Sequence, residues 1–570
     1  SNGASFSADL KGEGKSLSPV SRLWRLLRPE APDIWIVVVF AFTVALLMLA
    51  TPIAVEALVN TVAFGRFLQP IIVLALILLT FLGFQGAIRG LQTYVVEIVQ
   101  RRLFARVAGD LAYRLPRTES ESTDNEYMPE VVNRFFDVVA VQKIVAQLLL
   151  DGIGLVLSTI IGMAVLGFYH PWLLGFDIFL LSAIMFIIFV LGRGAVSSAV
   201  KESKHKYYMA GWLEDMARCP TAFRSDGGPD FALERADRLI HEYIGARRSH
   251  FRIVMRQVLF ALGLQAVAST VLLGLRGWLV VTGEWPLGQL VAAELIVTVI
   301  VGSLAKVGKL MESLYDLVAT VDNLGILFDI PTERQDGMLE IDRSQAARVD
   351  LHSISYSWPN RPAIIDGLEA DFAPRECVAL HGGSGTGKST LADILFGLRS
   401  PTAGHLTIDG FDPRDLRPDV LRSRVALVRS EEVFHATVSE NVHLHREGIS
   451  SSEVRDTLDA IGLLNPVLRL PNGCDTMLAS GGSPLSQNQS RLLGIARATI
   501  GRPGLLVVDG TLDALGEAEL DRCLEYLTSP DRTWTLLVLT SRADIASRLD
   551  RSVSLGDSNI DDAQGRLTGD

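Results

Sequence analysis

The sequence predicts a membrane α-helical domain of six transmembrane helices with long cytosolic extensions, followed by an α/β P-loop nucleotide-binding domain. Of its 570 residues, 49% are hydrophobic, and these are concentrated in the first half. That asymmetry places the chain among membrane proteins carrying a soluble domain. Six apolar runs lie between about Asp33 and Leu310, each near or above the twenty residues a helix needs to cross a bilayer. In the second half a strand-like run over 376–380 leads into Gly382-Gly383-Ser384-Gly385-Thr386-Gly387-Lys388-Ser389, a GxxxxGK[ST] phosphate-loop pattern.

The elements read in order as an N-terminal arm with an interfacial elbow helix (1–32), a transmembrane domain with two cytosolic loops (33–328), a linker (329–347), the nucleotide-binding domain (348–556) and a tail (557–570). The elbow reading rests on Ser18 as a cap, Pro19 at the first helical position, and Arg22, Arg25 and Arg28 beside apolar residues. No cleavable signal pattern follows Ser1-Asn2-Gly3, so the first apolar run is expected to remain as an anchor. The runs cover 34–58, 68–96, 144–168, 172–191, 254–281 and 287–307, with short links near 64–66, 169–171 and 282–286. Long polar links separate the second run from the third and the fourth from the fifth. Arg101, Arg102, Arg106, Arg193 and Lys201 sit at the ends facing the long links, which puts those links and both termini in the cytoplasm. Helical spacing over 101–115 and 234–258 predicts that the membrane helices continue into the cytosol. Reversals are expected at Asp124-Asn125-Glu126-Tyr127 and within 212–225.

Asp177 and Glu294 lie well inside apolar runs, where an exposed charge is costly, so both are expected to face protein or a water-filled cavity. A hydrogen-bonded interhelical contact is the plainer role; substrate lining or ion coupling is the other. Arg89 and Arg276 lie nearer run ends, where snorkelling accounts for them. A net charge of -11 argues against nucleic acid as a partner. Cys219, Cys377, Cys474 and Cys523 have neither disulfide-framework nor zinc-ligand spacing.

The phosphate loop carries the chemistry. Its glycines allow successive backbone amides to approach phosphate oxygens, Lys388 adds charge near the outer phosphates, and the Ser389 hydroxyl suits magnesium. A later apolar strand, Leu505-Leu506-Val507-Val508, ends in Asp509 and strengthens the nucleotide-binding reading.

This arrangement resembles the exporter-type ABC transporter family from residue 18 to about 556. The resemblance implies ATP and Mg2+ as cofactors. It makes 382–389 the Walker A loop, with Gly382, Gly383, Ser384, Gly385, Thr386, Gly387, Lys388, Ser389 and Thr390 at the nucleotide, and Asp509 the end of Walker B. Ser389 and Asp509 would serve the metal. Trp358 would stack on adenine, with Tyr356 as second choice, although Tyr356 suits a buried strand aromatic better. Ser486 and Gln489 would face a nucleotide held by a second subunit. The two reversals look like coupling helices, so residues near Asn125 and Trp212 should touch nucleotide-binding domains. Pro129 to Asp137 is similar to exporters that act with a periplasmic adaptor.

The departures from the family pattern bear on catalysis. Leu485-Ser486-Gln487-Asn488-Gln489 stands where LSGGQ is usual, Ser430 where a Gln is usual, Ser541 where a His is usual, and Gly510 where the family carries the Glu that polarises the attacking water. Asp513-Ala514-Leu515-Gly516 only partly resembles the D-loop, and neither Glu431 and Glu432 nor Glu517 and Glu519 rescues the site by position. No catalytic residue is therefore expected in this chain, and drift within a still-active ATPase fits four coincident losses least. Since these domains work as head-to-tail pairs, the expectation is the degenerate half of a heterodimeric exporter. It would sit in a bacterial inner membrane, in contact with the lipid bilayer, and move an amphipathic or peptide-like substrate while its partner hydrolyses ATP. A non-pumping, nucleotide-gated scaffold or regulator is an alternative, as is a homodimeric exporter with very slow ATPase. The arm before the first apolar run is expected to be too short for a peptidase-like domain.

Overall fold

The computed structural model describes residues 18–64, 68–124, 128–169, 171–282, 287–340, 345–429 and 432–555. The expectations for the arm before Ser18, for Asn125 to Tyr127, for the turns at Gly65-Arg66 and 283–286, for Ser430 and Glu431, and for the tail fall outside those residues. The described chain divides into two compact units. One holds the residues up to Thr118 and from 128 to Pro331; the other holds Glu119–Asp124 and everything from Thr332 onward.

In the first unit, six helices among the described residues are long and apolar enough to cross a membrane: Pro19–Thr61, Gln69–Arg117, Met128–Tyr169, Pro171–Leu191, Gly228–Leu279 and Gly288–Asp329. Each overlaps one predicted apolar run to within two residues. Five of them exceed 40 residues, about twice a bilayer span, so they continue well past the apolar segment. The first is interrupted at Met48-Leu49. Pro52 accounts for the break, because it has no N–H for the carbonyl of residue 48 and its ring crowds that turn. The elbow helix Pro19–Leu27 begins as expected: Ser18 accepts from the Ser21 amide at 3.3 Å and Pro19 takes the first position. Arg22 is buried against the last membrane helix, 3.4 Å from Asp322 and paired with Asp329.

The two intramembrane carboxyls differ. Asp177 is 5% exposed, and its Oδ2 has no hydrogen-bond partner among the described residues. Glu294 lies on an exposed face of its helix. Trp212 is buried within its own unit, its indole donating to the Ala232 carbonyl at 3.2 Å and packing edge-on against Phe223 and Phe231.

The second unit contains strands β1 (Val349–Ser357), β2 (Ala363–Phe372), β3 (Cys377–His381), β4 (Ala403–Ile408), β5 (Val425–Arg429), β6 (Ala436–Thr437), β7 (Met477–Leu478), β8 (Leu505–Asp509), β9 (Thr535–Thr540) and β10 (Arg551–Ser554). A parallel sheet runs β10-β3-β9-β8-β5, an antiparallel sheet runs β2-β1-β4, and β6 pairs with β7. The parallel strands are almost wholly apolar because both faces are covered, by two separate hydrophobic clusters. Burial pushes the thiols of Cys377 and Cys523 up to about 11 and about 12, so both stay inert. The register sets His381 beside Thr540, Leu539 beside Asp509, and Asp509 beside Arg429. The residues following these strands therefore share one edge, the carboxyl end where α/β sheets bind ligands. Thr332 onward is strapped to this unit: Arg422 donates to Glu333 at 2.7 Å, and Arg334 to the Pro413 carbonyl at 2.8 Å.

Candidate nucleotide site

The phosphate loop joins β3 to the helix Lys388–Leu395. Gly385 and Gly387 lie at φ +85° and +90°, where a side chain is strained. A Cβ on Gly387 would also sit 2.8 Å from Ile365, and one on Gly382 would sit 2.5 Å from the Leu555 carbonyl. Lys388 Nζ folds over the loop, donating to the carbonyls of Gly382 at 2.6 Å and Gly383 at 2.7 Å, and Thr386 donates to Gly383 at 3.0 Å. These bonds use loop carbonyls, while the first amides of the helix have no intrahelical acceptor, an anion-binding arrangement. Ser384 is exposed, Ser389 stands on the first helical turn, and Thr390 is buried.

Sequence reasoning missed Arg429. Its Nε donates to Asp509 Oδ2 at 2.7 Å, Nη1 to Asp393 Oδ1 at 2.7 Å, and Nη2 to the Ser389 carbonyl at 2.9 Å. Burial works against its charge, but the hydrogen bonds and charges of Asp393 and Asp509 outweigh it and raise the pKa. The available signal was a basic residue ending the otherwise apolar strand Val-Ala-Leu-Val-Arg. Asp393 continues the network, accepting from Arg399 Nε at 3.1 Å. Arg399 then makes a two-pronged pair with Asp124 at 2.6 and 2.9 Å, and the adjoining Ser400 amide donates to Glu121 at 3.2 Å. The Asp124 bonds are the main cause raising the Arg399 pKa. An unbroken ionic chain thus runs from Asp509 through Arg429, Asp393 and Arg399 to the segment Glu119–Asp124.

Arg399 also orders the aromatic pair. Its guanidinium lies 4.2 Å from the Trp358 ring centre and donates to the Tyr356 hydroxyl at 3.3 Å. Trp358 keeps partial exposure, whereas Tyr356 is 5% exposed within β1 and packs edge-on to Trp358. The plainer role anticipated for Tyr356, a strand core residue, describes its surroundings.

At the neighbouring strand ends, residues 510 and 541 bring no carboxylate or imidazole to the loop. Gly510 has φ +65°, with open space around a Cβ position, and its amide donates to Leu539 at 2.9 Å. Ser541 is exposed, and its amide donates to Asp513 Oδ2 at 2.8 Å. The Thr540 hydroxyl uses the other Asp513 oxygen. Glu519 is engaged by the Asn488 side chain at 3.0 Å. Ser486 caps the helix Gln487–Thr499, accepting from the Gln489 amide at 3.2 Å while Gln489 accepts from the Ser486 amide at 2.8 Å. That reciprocal box occupies both residues locally.

A magnesium ion would be approached from the Ser389 hydroxyl and from Asp509. On the Asp509 side Oδ2 is already held by Arg429, which also holds Asp393 and the Ser389 carbonyl, so one oxygen of this acid is committed within the protein. The loop amides and Lys388 do fit a nucleotide's phosphates.

Six membrane-type helices fused to a P-loop domain with this sheet define a nucleotide-coupled membrane transporter. Residues 365–512 match the ABC transporter family. Over 495 residues the chain is 26% identical to the ATP-dependent lipid A-core flippase of Chromobacterium violaceum, spanning 83% of this chain and 79% of that protein. Over 515 residues it is 22% identical to the leukotoxin translocation ATP-binding protein LktB of Mannheimia glucosida, spanning 89% and 72%. In fold it is similar to a solved bacterial Atm1-family ABC exporter with ATP bound, at TM-score 0.73 and 20% identity over 93% of this chain and 94% of that one. Among the described residues the chain has the make-up of an ABC exporter half: six helices long and apolar enough to cross a membrane, followed by an ABC transporter domain.

Proposed function

We propose that this chain is the catalytically degenerate half of a heterodimeric ABC exporter in a bacterial inner membrane. It binds ATP on Gly382 to Thr390, with Trp358 against the base, and its partner performs most of the hydrolysis. The observation carrying this reading is the pairing of a complete phosphate loop with Gly510 and Ser541 at the neighbouring strand ends. Losing a positioned general base alone costs about 10²–10⁴-fold in rate.

ATP here would hold the two nucleotide domains together, and Ser486 and Gln489 would present their helix to the partner's nucleotide. The Ser389 hydroxyl would reach a nucleotide-bound magnesium ion, which on the Asp509 side meets Arg429. The Arg399–Asp124 pair joins the nucleotide unit to the first cytosolic loop, which is covalently continuous with the second membrane helix, and so offers a coupling contact in place of the family's Gln. The basic residues flanking the long links support cytoplasmic termini and a cytoplasmic nucleotide unit. The relatives named for a lipid flippase and a toxin translocator support an amphipathic or peptide-like substrate, and the similarity over Pro129 to Asp137 supports an adaptor.

ATPase assays on the full chain in nanodiscs, alone and with a candidate second half, test the reading. Turnover is expected only with the partner. Robust turnover by the chain alone, lost in Lys388→Ala, contradicts it, and transport failure by every ATPase-competent pairing favours a regulator instead.

A further inference from the structure

The geometry points to a binding site for an anionic phospholipid of the inner leaflet on the helix Gly228–Leu279. Arg248, Arg252 and Arg256 take its headgroup phosphate, and an apolar row beside them takes an acyl chain.

Residues four apart share one face of a helix, so the three arginines form a ladder about 12 Å long at 1.5 Å per residue. Phe251, Met255 and Leu259 form a second row at the same spacing alongside it. The ladder crosses the inner end of the apolar run 254–281, with Arg256 inside it and Arg248 and Arg252 outside. All three arginines are exposed, as are Phe251, Leu259 and Phe260. Together with Leu191 of the preceding membrane helix, the apolar row, Arg252 and Arg256 line an open cavity of about 590 Å³.

Like charges four residues apart on a helix repel one another. Nothing among the described residues offsets that repulsion here. The helix carries no Asp or Glu between Tyr243 and Leu279, and the bond printed for Arg256 goes to the neutral Leu191 carbonyl. Arg248 and Arg252 make neither an ion pair nor a hydrogen bond among the described residues. Other basic residues near the inner ends are balanced: Arg102 lies 2.6 Å from Asp33, Arg106 3.2 Å from Glu30, and the adjoining Arg247 2.9 Å from Glu202. The general preference for basic residues on the cytoplasmic side accounts for arginines at this level, but not for one unpaired row beside an exposed apolar row. A phosphodiester headgroup supplies the missing counter-charge to the guanidinium forks, while its chain covers the trough. A soluble anion would satisfy the ladder alone, so the pairing of the two rows selects a lipid.

The test uses the full chain in nanodiscs made of equal parts phosphatidylcholine and phosphatidylglycerol, followed by mild detergent release and native mass spectrometry of the retained lipid. Wild type is expected to retain phosphatidylglycerol over phosphatidylcholine by about tenfold or more, and Arg248→Gln with Arg252→Gln to bring the two within about twofold. Arg248→Lys with Arg252→Lys should keep most of the preference. Lys201→Gln with Lys204→Gln, which removes the same charge from a neighbouring helix, should leave it intact. Near parity in wild type overturns the inference whether or not the variants fold. A preference unchanged by the double Gln variant, or lost equally in the lysine control, overturns it as well, the latter by assigning the effect to diffuse surface charge. Displacement of the lipid by inorganic phosphate alone would assign the ladder to a soluble anion, and its loss on assembly with a second half would make this face a contact between halves; either result overturns the lipid assignment.

Discussion

Two stretches of the same sheet edge have diverged. From β3 the chain enters a phosphate loop in which each constrained position is filled by a residue that satisfies it: glycines at φ +85° and +90°, and a lysine braced on two carbonyls. One and two strands away, β9 and β8 run into Ser541 and Gly510, which bring no acid or base. Binding and cleavage use different residues along this edge, so one can be kept while the other is lost. Gly510 lies in the left-handed region and the backbone there has adapted to glycine, which makes the loss hard to reverse by a single substitution.

The largest expected effect would come from the partner. Replacing its catalytic Glu by Gln should lower the ATPase rate of the pair by at least about 10²-fold, whereas Gly510→Ala in this chain should change it less than about twofold, as read by phosphate release. Next, Gly387→Ala should abolish nucleotide binding and destabilise the domain, because strain at φ +90° adds to a 2.8 Å contact with Ile365. Thermal unfolding with and without ATP checks it. Removing one partner of the part-buried Arg399 network, as in Arg399→Ala, is expected to cost about 1.5–3 kcal/mol, by denaturant unfolding. Asp124→Asn, milder, should weaken substrate stimulation of the pair's ATPase. The smallest effect is Ser486→Ala, about 1 kcal/mol for a lost N-cap.

Much of this was legible in the sequence because it is local. The apolar runs, the Ser18 cap, the loop glycines, Gly510 and Ser541 are read from consecutive residues, and the six helices and the α/β domain among the described residues follow the expectation. The ionic chain was illegible because Asp124, Asp393, Arg399, Arg429 and Asp509 are adjacent only once β5 lies in register beside β8 and the 119–124 segment returns to the domain. Hydropathy likewise could not separate Asp177 from Glu294: both interrupt similar apolar runs, and only helix packing decides which is buried. The Ser486–Gln489 box was present as a local S-x-x-Q pattern, but the likeness to a signature motif drew attention to a distant partner instead.

The most direct test of the central claim is the identity of the nucleotide retained by this chain after prolonged incubation of the full protein, without a partner, with radiolabelled ATP. The account predicts that washed protein releases intact ATP on denaturation and that Lys388→Ala retains none. Recovery of ADP, with phosphate accumulating over many turnovers and stopping in Lys388→Ala, would contradict it.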